Sequence, residues 1–219
     1  LVSITGKNTK DWQDKLKEIE KYKLDEVALF LEWYERPERE KIYKAIEKSC
    51  IKKIPFCHAR HDMEKEEFVY LSRQVWTNHF NIHEECFKNL EKWKGIYKKL
   101  YLEMNYDDFV PHAMKVKKIG GFCIDLSHFM ASRERDTKDF DYVMERKNLH
   151  KLFVCNHLNG YDWKKKKDKH TITSLKDFDY LKTLPKFVFG KIIAIETYNS
   201  IKEQLRFKKY LEKMLEKLF

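Results

Sequence analysis

The chain has 219 residues, close to the size of one ordinary domain and long enough to bury a core without disulfide staples. Lys+Arg 45 against Asp+Glu 35 gives a net charge of +10, while 42% hydrophobic and 15% aromatic residues exclude a disordered chain. No apolar run approaches the ~20 residues of a membrane span, and LVSITGKNTKDW lacks a basic stretch followed by an apolar one, so neither a membrane anchor nor a signal peptide is expected. The five cysteines (50, 57, 86, 123, 155) are scattered and form no CxxC, which suits reduced thiols in a cytoplasmic protein. The cationic excess is largely Lys, which leaves two readings open: a solvated Lys surface, or contact with a phosphate polymer.

Along the chain, short β-branched or aromatic runs alternate with longer amphipathic ones. Leu1–Thr5 precedes a helical stretch at Lys10–Tyr22, and Glu26–Leu31 precedes Pro37–Lys48. Lys53–Cys57 is followed by Lys65–Val75, His79–Ile82 by Cys86–Lys94, and Lys98–Leu102 by Val110–Lys117. Gly121–Ile124 leads to Thr137–Arg146, Leu152–Cys155 to a short helix near Ser174–Leu181, and Lys191–Ile195 to Ile201–Leu218. The residues just past the strands are Gly6, Glu32, His58, His83, Glu103, Asp125, His157 and Glu196, spaced by 26, 26, 25, 20, 22, 32 and 39. Each gap fits one strand–helix unit. The pattern predicts a single compact α/β domain over residues 1–219, a (β/α)8 TIM barrel. An open doubly wound sheet is the alternative, but its Gly-rich GxGxxG turn is absent.

In such a barrel the site lies at the C-terminal ends of the strands. Six consecutive predicted strands end there in a potential metal ligand: His58, His83, Glu103, Asp125, His157 and Glu196. His128 lies three residues past Asp125, and Asp168 and His170 lie in the long loop after the seventh strand. Converging carboxylates repel one another unless a cation sits between them. Imidazole mixed with carboxylate suits Zn2+ or Mn2+ better than Ca2+ or Mg2+. Nine candidate ligands exceed what one ion holds, so two to three ions are expected.

These motifs resemble the xylose-isomerase-like superfamily, and most closely its endonuclease IV type of apurinic/apyrimidinic endonucleases. The resemblance covers mainly residues 53–200 and rests on His58, Glu103, Asp125-Leu-Ser-His128, His157-Leu-Asn159, Asp168-Lys-His170 and Glu196-Thr197. It implies one ion on His58, His83 and Glu103, and a second on Glu103, Asp125, His157 and Glu196 with Glu103 bridging. A third would lie on His128, Asp168 and His170. The chain departs from that family at His83, followed by Glu84-Glu85 where Pro-Gly is usual, and in its shorter loops.

The resemblance implies a metal-dependent phosphodiester hydrolase cutting DNA at abasic sites, with Glu103 and Glu196 as catalytic carboxylates. Zn2+ is the expected metal, with Mn2+ as alternative. The other enzymatic reading is a sugar or sugar-phosphate isomerase or epimerase, in which Glu103 and Glu196 flank one ion and move a proton beside a carbonyl. A third is a barrel that binds nucleic acid without catalysis. Arg60 is a candidate for a phosphate or sugar oxygen, or the partner of Asp62 in a surface salt bridge. Asn159 and Lys164–Lys167 (Lys164, Lys165, Lys166, Lys167) are further substrate-binding candidates, the Lys run alternatively a solvated loop. His61 competes with His58 as ligand. Trp33, Tyr34, Tyr161 and Trp163 on mouth-side loops suit either stacking or rim packing. His79, His112 and His150 are expected to be structural or exposed, and no protein partner is expected.

Overall fold

A computed structural model describes residues 1–219. Its main sheet has eight parallel strands in the order β1 (Ser3–Ile4), β2 (Ala28–Phe30), β3 (Phe56–His58), β4 (His79–His83), β5 (Leu100–Glu103), β6 (Gly121–Asp125), β7 (Phe153–Leu158) and β10 (Ile192–Ile195). The outer two approach one another: the Ile195 N–H donates to the Leu1 carbonyl at 2.8 Å, and the Ser3 hydroxyl donates to the Ile195 carbonyl. The result is a nearly closed, TIM-like parallel barrel alternating with helices.

All eight predicted strands form, within a few residues of their expected bounds. The helices are α1 (Thr9–Tyr22), α2 (Arg36–Glu47), α3 (Lys65–Gln74), α4 (Leu126–Arg135), α5 (Lys138–Met144) and α6 (Ile201–Glu216). Three expectations need correction. The helix expected at Val110–Lys117 is absent save for a 3-10 turn at Val116–Lys118. The stretches expected as helices near Cys86–Lys94 and Ser174–Leu181 are 3-10 runs at Glu84–Trp93 and Leu175–Thr183. The eight-helix count of a full (β/α)8 repeat is therefore not met by α-helices.

Two further elements carry no clear signal in the sequence. Helix α4 follows β6 without a break and is buried on most sides, at Leu126, Ser127, Phe129, Met130, Ala131 and Ser132. A helix covered all round shows little of the polar/apolar periodicity by which sequence reveals one. The other is an antiparallel hairpin, β8 (Gly160–Asp162) with β9 (Lys167–Lys169), whose turn is the Lys run.

Side chains on a strand alternate between its two faces. One set, including Leu29, Cys57, Phe80, Leu102, Phe122, Leu158 and Ile195, joins the large core between sheet and helices. The other set fills the barrel interior with Ala28, Phe30, Phe56, Tyr101, Cys123, Cys155 and Ala194. Two residues beyond six of those seven, on the same inward face, stand Glu32, His58, Glu103, Asp125, His157 and Glu196. The strand period thus stacks a polar layer on an apolar plug at the C-terminal mouth.

Candidate metal centre

Glu103 is the hub of this layer and is 1% exposed. Its Oε2 lies 3.0 Å from His58 Nε2, 3.0 Å from His157 Nε2 and 3.7 Å from His83 Nε2, and accepts a hydrogen bond from the Asn81 amide. Its Oε1 lies 3.2 Å from His128 Nδ1. Four imidazoles from four segments surround one carboxylate.

The neighbouring carboxylates interlock with the same rings. His157 Nδ1 is 2.7 Å from Glu196 Oε2 and 3.4 Å from Asp125 Oδ2. Asp125 has two roles: Oδ1 caps α4 by accepting from the Ser127 and His128 backbone N–H groups, while Oδ2 faces His157, His128 and the Asn159 amide. The cap explains why α4 starts where the sixth strand ends. Four groups of donor atoms lie within 4.8 Å of one another: Glu32/His58/His83, His58/Glu103/His157, Glu103/Asp125/His128 and Asp125/His157/Glu196.

Burial opposes charge on Glu103, His157, Glu196 and His128, and their partners outweigh it. Burial pushes Glu103 up, but His157, His83 and His128 hold it well below the usual carboxylate range. His157 is desolvated, yet Glu103, Glu196 and Asp125 raise it well above the usual imidazole value. Glu196 is lowered to about 2 against its burial, by His157 and His170. The carboxylates of Asp125 and Glu103 outweigh burial at His128 and raise it to about 9. Protons on imidazole here do the work a divalent cation does in a ligand set. Buried Asn81 Oδ1 and Asn159 Oδ1 have no hydrogen-bond partner. The residues therefore fit a Zn2+- or Mn2+-class ion.

The expected grouping of His128 with Asp168 and His170 is not what the chain builds. His128 belongs with Glu103 and Asp125, and no group of three donors contains Asp168 or His170. Those two pair with each other, His170 Nε2 standing 2.9 Å from Asp168 Oδ2. Tyr106 touches both sides: its ring packs on His128 at 4.4 Å between centroids, and its hydroxyl donates to Asp168 at 2.7 Å. His170 instead approaches Glu196, with Nδ1 3.9 Å from Oε1.

The other candidates fall as follows. His58 faces Glu103, whereas His61 is exposed. Arg60 pairs with Asp62. Lys164–Lys167 are exposed in the hairpin turn, where the Lys164 and Lys165 N–H groups donate to Asp162. Trp33 and Trp163 are exposed, and Tyr34 and Tyr161 are buried. His79 stacks on Tyr101, and His112 and His150 are exposed. Sequence reading did not count Glu32, Asn81 or Tyr106 in the site. Glu32 was recoverable, since it stands two residues past the interior Phe30; Tyr106 lies in an irregular segment with no periodic signal.

Searched against protein-family models, curated proteins and solved structures, the chain matches none.

Proposed function

We propose that this chain is a divalent-metal-dependent phosphodiester hydrolase acting on DNA at abasic sites. The observation that carries the reading is that Glu103 belongs to two ligand groups at once, His58/Glu103/His157 and Glu103/Asp125/His128. A carboxylate shared by two ligand sets could help hold two ions, and two-ion sites serve in-line displacement at phosphorus. Because no group of three donors contains Asp168 or His170, this reading takes two ions, at the lower end of the expected two to three.

Ions of the Zn2+ class supply polarisation of a phosphoryl oxygen and a water acidified toward neutral pH. The chain's own residues do the positioning. Glu103, held ionised, would be placed to accept a proton from an attacking water. Glu196 fixes the His157 ring through Nδ1, so that Nε2 points at the Glu103 side. His170, paired with Asp168, stands beside Glu196 at the mouth and would face the leaving oxygen. Arg60, Asn159 and Lys164–Lys167 are the proposed contacts to substrate.

A second reading, aldose–ketose isomerisation or epimerisation, is favoured by the depth of the site. Glu103 and His157 are each 1% exposed, which a small sugar reaches more readily than a duplex backbone does. Metal content separates the two. Protein purified without chelator should carry about two Zn per chain and cut an abasic duplex. One Mn per chain, no cleavage, and interconversion of a ketose would replace the first reading by the second.

A further inference from the structure

A second group of ligand-type side chains lies outside the histidine-rich centre. Glu84 begins the 3-10 run after β4, Asp107 lies in the segment after β5, and Asp139 is in the first turn of α5. Their carboxylate oxygens lie within 4.8 Å of one another. Glu84 is 2% and Asp139 1% exposed. None of the three carboxylates lies in a salt bridge with Lys, Arg or His.

Three backbone groups satisfy part of the cluster: the Asn105 N–H donates to Glu84 Oε1 at 2.8 Å, the Asp108 N–H to Asp139 Oδ2 at 3.0 Å and the Phe109 N–H to Asp107 Oδ1 at 3.1 Å. Asp139 Oδ1 remains buried without a partner. A separate observation points the same way. Thr137 is the N-cap of α5, a position where a Thr hydroxyl normally accepts from the first turn, yet its side chain makes no cap bond. Its hydroxyl is spent on no turn of the helix but faces the Asp139 carboxyl, and the residue is 5% exposed. Unpaired buried oxygens beside converging carboxylates are costly without a cation.

We infer that a hard divalent cation of the Ca2+ or Mg2+ class binds among Glu84, Asp107, Asp139 and the Thr137 hydroxyl, clasping the segments after β4 and β5 to the start of α5. An all-oxygen set without imidazole or thiolate selects such ions over Zn2+. The clasp also bears on the first centre. Asn105, which donates to Glu84, has its Oδ1 3.0 Å from His83 Nδ1, so fixing Glu84 fixes the His83 ring.

The test uses the full chain saturated with Zn2+, so that the first centre is already filled. Ca2+ is then titrated while the melting temperature is followed, and Tb3+ luminescence reports the same site. The expected result is a saturable rise in melting temperature by mass action. Asp139→Asn should abolish it while leaving Zn stoichiometry unchanged. The exposed Asp107→Asn, which should fold even if Asp139→Asn does not, should move the midpoint to at least about tenfold higher Ca2+ because the site then has one charged ligand fewer. No rise in the wild-type chain, with stabilisation on mild acidification instead, would mean a shared proton and overturn the inference. An unchanged rise and midpoint in Asp107→Asn would overturn it as well.

Discussion

His157 Nε2 lies 3.0 Å from Glu103 Oε2, on a line across the barrel mouth from β7 to β5. Both side chains are almost fully buried, and each is held from its far side, His157 by Glu196 and Glu103 by His128. Glu103→Gln keeps the shape of this hub and removes its charge. Zn content should fall from about two to one or fewer per chain. Cleavage of an abasic duplex should drop about 100-fold or more, since Lewis-acid stabilisation is worth several kcal/mol and each ~1.36 kcal/mol is a factor of ten. Elemental analysis with single-turnover kinetics checks both numbers.

His170→Ala and His157→Ala separate the rim from the centre. His157 reaches Glu103, Asp125 and Glu196, whereas His170 pairs with Asp168 and touches only the edge of Glu196. His157→Ala should lose metal and all activity. His170→Ala should keep both Zn ions and a native melting curve, with cleavage reduced by roughly 10- to 100-fold, the size of a general acid–base or positioning contribution. Loss of an ion in His170→Ala would show that Asp168 and His170 ligate after all.

The shifted groups set opposite pH trends with and without metal. His128 and His170 are raised from 6.5 to about 9, against burial, chiefly by Asp125 and Glu196 respectively. Their stabilising effect is complete below pH 6.5 and is lost as pH rises through about 9. Glu196, lowered from 4.5 to about 2, stabilises above pH 4.5 and ceases to as pH falls through 2. Chelator-treated protein should therefore melt highest between about pH 4.5 and 6.5 and lower toward pH 9. The Zn-dependent increment should run the other way, growing with pH because protons and metal compete for the same imidazoles. Melting curves at stepped pH with and without chelator test this directly.

Arg39 is a buried anchor remote from the metal ligands. Its guanidinium donates to both Glu67 oxygens at 2.8 Å, to Asp62 at 2.9 Å and to the Tyr34 carbonyl at 2.8 Å, and is 0% exposed. It joins α2 to α3 and to the segments after β2 and β3. Arg39→Ala leaves Glu67 buried with no cation, beside only the Tyr43 hydroxyl and the Glu64 N–H, and should cost about 3–5 kcal/mol in urea unfolding. Arg39→Lys keeps the charge without the two-pronged geometry and should recover only part of that.

The Lys164–Lys167 turn is exposed, and beyond the hairpin itself only its Lys166 carbonyl is tied down, by Arg135. Replacing the four by Ser should leave folding unchanged. If the turn meets DNA phosphates, the log–log salt slope of binding should flatten by up to about 0.9 for each phosphate no longer neutralised by a Lys. An identical slope would make the turn a solvated one.

Strand identity and the inward-facing residues were legible in the sequence because both depend on local chemistry. The runs ending at Cys57, Leu102, Ile124 and Ile195 are short and apolar, and the residue following each (His58, Glu103, Asp125 and Glu196) therefore falls at the C-terminal end of a strand. What sequence left open was set by the packing of distant segments. Helix α4 is hidden because burial on most sides erases its polar stripe. The placement of Tyr106 between His128 and Asp168, and the approach of Glu84, Asp107 and Asp139, arise only when loops some 20 to 60 positions apart are brought together. Local periodicity decides which way a side chain faces; barrel closure and loop packing decide which side chains meet.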